Sequence, residues 1–532
     1  MMNFKRILCY IAFVVCSTFL FSDVEIYFAP NGGFAEKNNK RTITMVDGKE
    51  VTADLNSALI DMIQRAPKNG QIKIAMYAFS HKETLDALIA AARDRGIKVK
   101  LIVDACASWT TEIRDNLKKA IFAEKETAEK EKRSFDFQLK EIFPEVMKQR
   151  ERTRVLDDGK VIFGTMHEKF GIIYKPGSKL PLHAFCGSAN VSWGAGHLFA
   201  ENRVFFRNEP YIGLQLAEEF SRLWNEYGTE TTKNTESERH LPVDSQWSGV
   251  QIVSNSKPID IEHYQRIDDT LTNILRKVSA EGGTIDVAMF SFTHYNLANT
   301  LLYLAQRNPK AKVRILLDQT QIESDENHRG VMGQFMENNA FSRKLKNFEI
   351  RYKWRSNAFG WDRESKSAML MHQRNLLLHH KCVVVNGKIM GLGSYNWSES
   401  AEVRNFENIM VFDGSIPKAQ NVIDRFMAEF NFMWDRVRPK EPGKQKLTNP
   451  QVIEGYRGRY LKGRIKKAYS SVICRIIMDK MHKNRNGCDL EKLIAETKMD
   501  EEKLLPKLKW LEDVTLIYEV EKDGKKTYHL SD

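Results

Sequence analysis

Two short stretches of the chain carry the same chemical groups in the same order. Met166–Phe170 holds a histidine and a lysine two residues apart, and a Gly-Ser-x-Asn turn follows at Gly187–Asn190. Leu378–Cys382 holds the same pair, followed by the turn Gly393–Asn396. The two histidines stand at positions 167 and 379, so a spacing of 212 residues, the size of a domain, separates them. This recurrence predicts a duplicated unit in which each copy delivers one histidine to a shared site.

Two histidines and two lysines at one site suit phosphoryl chemistry. One neutral imidazole attacks phosphorus while the other, protonated, gives its proton to the leaving oxygen, so a phosphodiester is cut through a covalent phosphohistidine that water then hydrolyses. Lys169 and Lys381 would hold the non-bridging phosphate oxygens, where negative charge must be stabilised. We expect neither a metal nor a cofactor, because ammonium groups can perform the electrostatic role of an ion. Four uncharged donors are candidates to assist the lysines: Asn190, Asn396, Ser188 and Ser394.

The elements around the motifs repeat as well. Ile72–His81 can be laid over Ile285–His294, and each of these apolar runs is followed by a helical pattern and a second apolar run. Strand–helix–strand units of this kind predict buried strands in an α/β fold. His81 and His294 recur at strand ends, where we expect them to cap the following helices. The helical patterns and second runs are Thr84–Arg95 with Val99–Val103, and Leu297–Arg307 with Val313–Leu317.

Taken together, these motifs and this repeat resemble the phospholipase D superfamily, over roughly Val24 to Asp435. The resemblance implies a duplicated sandwich of mixed sheets flanked by helices, whose halves meet across a pseudo-twofold axis. It also implies that His167 is the nucleophile and His379 the acid. Two Glu-Asn pairs, Glu201-Asn202 and Glu407-Asn408, match the following strand of the family, where the carboxylate orients a catalytic histidine.

The chain departs from the family at two positions. The family often has Asp five residues after the lysine, where this chain has Tyr174 and Asn386. We expect activity, because the histidines, lysines and Glu-Asn pairs all remain, with the asymmetry affecting rate or substrate choice. Because Tyr174 replaces the Asp of the family, the alternative is a catalytically inactive protein that only binds phosphate or nucleic acid. The intact His167 and His379 weigh against this alternative.

Composition shifts along the chain indicate four parts. We predict a signal peptide at 1–22, a first phospholipase D-like domain at 23–235, a second at 247–437 and a C-terminal module at 451–532. Three helical patterns and a hairpin make this module winged-helix-like. A small appendage that only packs on the enzyme is the alternative. The Glu- and Lys-rich stretch 124–154 is expected to be an exposed helix inserted before the first motif.

The N-terminus has the features of a secretory signal. Lys5 and Arg6 precede an apolar run that is about 15 residues long, which is short for a membrane span. We therefore expect export, to the periplasm or the medium, with a retained membrane anchor as the alternative. The five cysteines outside this segment have no Cys-x-x-Cys spacing and predict neither a zinc site nor a disulfide framework.

The charge of the chain favours polyanionic partners. The formal net charge is +12 and the isoelectric point is near 9.1, which suits either an anionic phospholipid membrane surface or nucleic acid. Export favours a phospholipase that releases phosphatidate and a free headgroup. The alternatives are a secreted endonuclease using the same mechanism and, less favoured because membrane spans are lacking, a phosphatidyl transferase. An oligomer is not required, since one chain carries both motifs.

Overall fold

The computed structural model describes residues 23–29, 41–107, 111–149, 152–155, 161–197, 199–227, 249–256, 266–318, 331–353, 377–436, 487–513, 517–522 and 525–530, with a few single residues between them. The predicted signal peptide at 1–22 lies outside the described residues. Among the described residues, none of the helices has the length and apolarity that crossing a bilayer would require.

A seven-stranded mixed sheet forms the first half. Its order is β1-β11-β10-β9-β4-β5-β6, with parallel pairing from β4 to β6 and antiparallel pairing elsewhere. The strands of this sheet are β1 (Asp23–Phe28), β4 (Gln71–Met76), β5 (Lys98–Asp104), β6 (Phe137–Ile142), β9 (Lys169–Tyr174), β10 (Pro181–Gly187) and β11 (Asn202–Arg207). Two small hairpins stand outside it, β2 (Thr42–Thr44) with β3 (Glu50–Thr52) and β7 (Thr153–Val155) with β8 (Val161–Phe163). The helices are α1 (Leu55–Gln64), α2 (Lys82–Arg95), α3 (Thr111–Lys130), α4 (Pro144–Gln149), α5 (Trp193–His197) and α6 (Pro210–Arg222), the last continued by a π-helical turn at Leu223–Tyr227.

The second half repeats this sheet strand for strand. Its order is β12-β18-β17-β16-β13-β14-β15, with the same division into parallel and antiparallel pairs. The strands are β12 (Val250–Ser254), β13 (Thr284–Met289), β14 (Lys312–Asp318), β15 (Phe348–Lys353), β16 (Lys381–Val385), β17 (Ile389–Gly393) and β18 (Asn408–Asp413). The helices are α7 (Ile267–Leu275), α8 (Tyr295–Arg307), α9 (Val331–Ser342), α10 (Glu399–Val403) and α11 (Pro417–Arg436). The predicted fold class, a duplicated α/β sandwich of mixed sheets, is confirmed.

Alternation along the central strands divides the core into three layers. In β4, Ile74 and Met76 join an apolar cluster under the helices of the first half, whereas Ala75 joins a cluster shared by both halves. In β13, Val287 faces the helices of the second half and Ala288 faces the shared cluster. Since side chains of a strand alternate between its faces, both sheets bury one face against each other. The shared apolar layer fixes the relative position of the halves.

The predicted caps are present. His81 precedes α2 and its side chain accepts a hydrogen bond from the Thr84 amide, and His294 precedes α8 and accepts one from Leu297. A side-chain acceptor at this position satisfies an amide that the first helical turn leaves unpaired. These two histidines therefore have structural roles, as the sequence indicated.

The prediction of one exposed helix over 124–154 is wrong. The stretch contains the end of α3, the edge strand β6, the short helix α4 and the strand β7. Phe137 and Ile142 are buried in β6, and the abundant Lys and Glu residues of the neighbouring segments hide this short apolar pattern. The strand completes the sheet, so the stretch belongs to the fold.

In the C-terminal module, the structure describes two of the three predicted helices and the predicted hairpin, while the first helical pattern lies mostly outside the described residues. Two helices, α12 (Leu490–Thr497) and α13 (Glu501–Asp513), follow the short strand β19 (Cys488–Asp489) and precede the hairpin of β20 (Ile517–Lys522) and β21 (Lys525–Leu530). The strand order is β19-β21-β20. Leu493, Leu504 and Ile517 belong to the same apolar cluster as the core of the second half. The module is therefore packed against that half.

Candidate active site

Each His-x-Lys motif enters a central strand of its sheet while its first residues reach the other half. The backbone amide of His167 donates to the carbonyl of Phe406 at 2.9 Å, and that of His379 donates to Ala200 at 2.9 Å. Parallel bridges between Met166 and Phe406, and between the equivalent residues Leu378 and Ala200, accompany these bonds. The two motifs therefore meet at the interface between the sheets, as the duplication predicted.

The carboxylates that orient the histidines are exchanged between the halves. Nδ1 of His167 lies 2.9 Å from a carboxylate oxygen of Glu407, and Nδ1 of His379 lies 2.5 Å from one of Glu201. All four side chains are buried, and both glutamates are fully so. With Nδ1 engaged, the Nε2 atom of each imidazole is the one left for chemistry.

The serines of the Gly-Ser-x-Asn turns hold these glutamates. Ser188 Oγ donates to Glu201 at 2.6 Å, and Ser394 Oγ donates to Glu407 at 2.6 Å. Each hydroxyl also accepts from the amide that follows its glutamate. The hydroxyl protons are thus committed to the carboxylates, and contact of Ser188 and Ser394 with substrate stays a prediction.

Each lysine is fixed by its own motif. Lys169 Nζ donates to the carbonyl of His167, and Lys381 Nζ donates to that of His379 at 2.6 Å. Each ammonium also lies over an aromatic ring, 5.1 Å from the centroid of Tyr77 and 5.2 Å from that of Phe290 respectively. Burial lowers the pKa of Lys169 to about 8 and that of Lys381 to about 7, although Glu201 and Glu407 oppose the shift.

The histidines are neutral near pH 7. Burial, together with the charges of Lys169 and Lys381, lowers the pKa of His167 to about 4 even though Glu407 raises it. Burial and the same two lysines lower the pKa of His379 well below its ordinary value. Because each lysine acts on the histidine of the opposite motif, the four groups form one site.

The turn asparagines present unsatisfied amides. Asn190 and Asn396 are half-buried, and within the described part of the chain neither Oδ1 atom has a hydrogen-bond partner. Each side-chain amide therefore keeps hydrogen-bonding capacity for a ligand. This placement is compatible with the predicted role of these residues as donors to phosphate.

A family model described as "Cardiolipin synthase, PLD-like domain" matches residues 59–224 and 259–434, which cover both halves. The chain belongs to the phospholipase D superfamily. The resemblance inferred from the two motifs is thereby confirmed.

Curated relatives and a solved structure are similar to this phospholipase D superfamily member. Mitochondrial cardiolipin hydrolase of Xenopus laevis is 22% identical over 172 residues, 32% of this chain and 64% of that protein. The enzyme of the same name from Chlamydomonas reinhardtii is 25% identical over 175 residues, 33% of this chain and 62% of that protein. The chain thus spans less than two thirds of the length of these relatives. Phosphatidylserine synthase from Haemophilus influenzae has a similar fold, with a TM-score of 0.50 and 12% identity over 82% of this chain and 98% of that structure.

Two aspartates of the phospholipase D-like site were not predicted. Asp104 accepts a hydrogen bond from the amide of Met166 at 2.8 Å, and Asp318 accepts one from Leu378 at 2.8 Å. Burial raises the pKa of Asp104 to about 6 despite its backbone donors. Both aspartates end the second apolar run of their half, and this repetition was the signal that could have identified them.

The asparagines of the Glu-Asn pairs also act across the interface. Asn408 Nδ2 donates to Glu168 at 2.8 Å, and Asn202 Nδ2 lies 2.8 Å from Nδ1 of His380. Glu168 and His380 are the middle residues of the two motifs, so the halves differ here. Burial and the neighbouring Glu219 raise the pKa of Glu168 well above its ordinary value, whereas burial lowers that of His380 to about 3. His380 is therefore neutral near pH 7, and burial opposes ionisation of Glu168.

The two departures from the family pattern lie away from the histidines. Tyr174 ends β9, and Asn386 follows β16 in a left-handed conformation with φ of 55°. Asn386 binds the amide of Ser279 and the carbonyl of Lys277. Five residues of strand place each position roughly 16 Å from the lysine of its motif. These residues shape strand ends in this structure.

One cluster among the described residues has the donor spacing of a metal site. It consists of Asp268, His294 and Glu402. The guanidinium of Arg266 lies 2.9 Å from Glu402 and 3.0 Å from Asp268. Arg266 therefore supplies the positive charge that these buried carboxylates need.

Proposed function

We propose that this protein is a phosphodiesterase that hydrolyses phospholipids to phosphatidate and a free headgroup through a phosphohistidine intermediate. The observation that carries the proposal is the pair of buried histidines, each bonded through Nδ1 to the glutamate of the other half, between two lysines. A site with two imidazoles and two ammonium groups suits nucleophilic attack, proton transfer and charge stabilisation at one phosphate.

In the first step, Nε2 of His167 attacks phosphorus and His379 gives a proton to the leaving alcohol. Glu407 accepts a hydrogen bond from Nδ1–H of His167 and stabilises the positive ring that forms. Binding of an anionic diester raises the proton affinity of His379, which the lysine charges otherwise suppress. In the second step, His379 takes a proton from water, whose oxygen displaces His167 from phosphorus.

Lys169 and Lys381 stabilise the charge on the non-bridging oxygens, and Asn190 and Asn396 add uncharged donors. Because two ammonium groups supply this charge inside a buried site, we propose that turnover proceeds without a divalent cation.

Two observations support a phospholipid substrate. The curated relatives are named as cardiolipin hydrolases, and the net charge of +12 suits an anionic membrane surface. We also propose that the N-terminal segment exports the protein.

A nuclease is the alternative that the C-terminal module suggests, because α12 and α13 are joined as in a helix-turn-helix. However, α13 begins with Glu501 and Glu502. Carboxylates at the start of the second helix oppose contact with the DNA backbone. We therefore favour a phospholipid over a nucleic acid as the substrate.

The test compares cardiolipin and phosphatidylglycerol vesicles with single- and double-stranded DNA, in chelator. We expect release of phosphatidate-containing product from vesicles, its loss in His167→Ala and His379→Ala, and its retention in His183→Ala, a matched histidine outside the site. Cleavage of DNA alone would show that the protein is a nuclease and not a phospholipase. Phospholipid hydrolysis that persists in His167→Ala would reject a phosphohistidine mechanism on His167.

A further inference from the structure

The two histidine–glutamate pairs differ at one position beside each glutamate. Asn405 stands two residues before Glu407, and Phe199 stands two residues before Glu201. The positions are structurally equivalent, because the backbone amide of each donates to the carbonyl five residues earlier, at 2.9 Å for Asn405 and 3.0 Å for Phe199. An amide in one half thus replaces an apolar ring in the other.

Asn405 uses both ends of its side chain at the site. Its Nδ2 donates to Glu407 at 3.0 Å, and its Oδ1 accepts from the amide of Thr165 at 3.2 Å. Glu407 is therefore bonded to Asn405 in addition to Ser394 and His167.

Phe199 can make neither bond. Its ring centroid lies 6.3 Å from that of His379, and among the described residues the side-chain partners of the Glu201 carboxylate are Ser188 and His379. The two buried glutamates thus have unequal numbers of donors.

The number of donors decides how firmly a buried carboxylate stays ionised. Three partners hold the carboxylate of Glu407, which keeps the Nδ1 proton on His167 and leaves a lone pair on Nε2. Glu201 has fewer donors, and burial raises its pKa to about 8 although Lys381 lowers it. Burial therefore favours a bound proton on the Glu201–His379 pair near pH 7.

The two lysines act on both histidines, whereas Arg203 acts on Glu201. Lys381, Lys169 and Arg203 lower the pKa of Glu201, and both lysines lower the pKa of each histidine. The neighbouring His380 is itself neutral near pH 7. Because the lysines are common to both histidines, they do not create the difference between them.

We propose that Asn405 and Phe199 are positioning residues that make the two histidines unequal. Asn405 fixes Glu407 as a carboxylate and so makes His167 the nucleophile. Phe199 withholds a donor from Glu201, so the Glu201–His379 pair keeps the additional proton that the leaving group needs. The inference rests on the proposed function and adds to it a structural reason for the division of roles.

The protons balance in this scheme. In the resting site one proton lies between Glu201 and Nδ1 of His379, and a second is on Nε2. As the bond from His167 Nε2 to phosphorus forms and the bond to the leaving oxygen breaks, the Nε2 proton goes to that oxygen. The first proton stays on Nδ1, facing an ionised Glu201. Water later returns a proton to Nε2 while its oxygen bonds to phosphorus and His167 departs.

The test uses two diesters that differ in their need for an acid. Bis(4-nitrophenyl) phosphate has a leaving group that departs unprotonated, whereas phosphatidylglycerol in vesicles, or an oligodeoxynucleotide if the wild type cleaves that instead, has an alkyl leaving group. Phe199→Asn supplies a donor to Glu201, and Phe199→Leu removes the ring without supplying one. The full-length protein is used throughout.

The readout is the turnover of bis(4-nitrophenyl) phosphate divided by that of the diester with the alkyl leaving group. We expect this ratio to be at least about tenfold higher in Phe199→Asn than in Phe199→Leu, because Phe199→Asn weakens general-acid catalysis, which only the alkyl diester needs. Equal ratios in the two variants would overturn the role of Phe199. The comparison cancels packing losses that the variants share.

We expect Asn405→Leu to lower the turnover of both diesters. The amount of phosphohistidine on His167, measured by rapid quench and peptide mapping, should fall as well. Asn405→Gln, which keeps an amide donor, should restore part of both. An Asn405→Leu protein that matches Asn405→Gln in both readouts would overturn the role of Asn405. If the wild type cleaves neither diester and traps no adduct, the proposed function and this inference fail together.

Discussion

Glu407 and His167 belong to different halves of the chain, yet a carboxylate oxygen of the glutamate lies 2.9 Å from Nδ1 of the imidazole. The pseudo-equivalent bond joins Glu201 to His379. The orientation of each histidine therefore depends on the packing of one sheet against the other. A change at the interface should affect the chemistry even where it does not touch the phosphate.

Replacing Glu407 by Gln should lower kcat strongly with a smaller change in KM. A glutamine amide can donate to Nδ1 and hold the wrong tautomer, and the same change of carboxylate to amide in a Ser-His-Asp triad lowers kcat about ten-thousandfold. Steady-state kinetics on phospholipid vesicles measure this effect. Glu209→Gln, a buried glutamate paired with Lys418, is the matched control, and similar losses in the two variants would contradict the assignment.

The pH profile of kcat/KM should be bell-shaped and displaced toward acid. On the acid side, His167 with a pKa of about 4 becomes protonated as pH falls and can no longer attack. On the alkaline side, Lys381 with a pKa of about 7, followed by Lys169 and Glu201 at about 8, loses its proton as pH rises. The profile reports groups of the free enzyme.

Lys381→Arg separates the two limbs of this profile. A guanidinium stays protonated throughout the range, so the alkaline limb should move to higher pH while the acid limb stays in place. If the alkaline limb does not move, it reports the titration of a group other than Lys381.

Removing the amide of Asn408 should destabilise the fold. Asn408→Leu leaves the buried carboxyl group of Glu168 without this donor, which costs about 1–3 kcal/mol of unfolding free energy. Denaturant titration measures the loss. Asn339→Leu, which removes a hydrogen bond within α9, should cost less, and the reverse order would show that the bond across the interface is unimportant.

Gly164→Ala should disturb the contact between the halves just before the first motif. A methyl group on Gly164 would overlap the backbone carbonyl of Arg404, and backbone cannot move aside as a side chain can, so we expect a loss of about 1–3 kcal/mol. Gly391→Ala is the control, since its nearest neighbour is the end of the Leu271 side chain at 3.2 Å. Equal unfolding midpoints for the two variants would contradict this reading.

Repetition made much of this fold and site predictable. Local spacing of apolar residues predicts the strands that contain Val99 and Val313. It also predicts the helices that follow His81 and His294. The sequence did not predict that Glu201 and Glu407 each contact the histidine of the other half. Spacing along the chain does not determine whether a glutamate contacts the histidine of its own half or of the other. Strand β6 was missed because its apolar pattern is short and lies among charged residues.

The single chain allows the two halves to differ at the site. A symmetric homodimer must place the same side chain at both equivalent positions, so it could not have Asn405 on one side and Phe199 on the other, or Glu168 opposite His380. Covalent linkage of the copies removes that restriction. Each half can then change by point substitution while it still takes its histidine-orienting carboxylate from the other half.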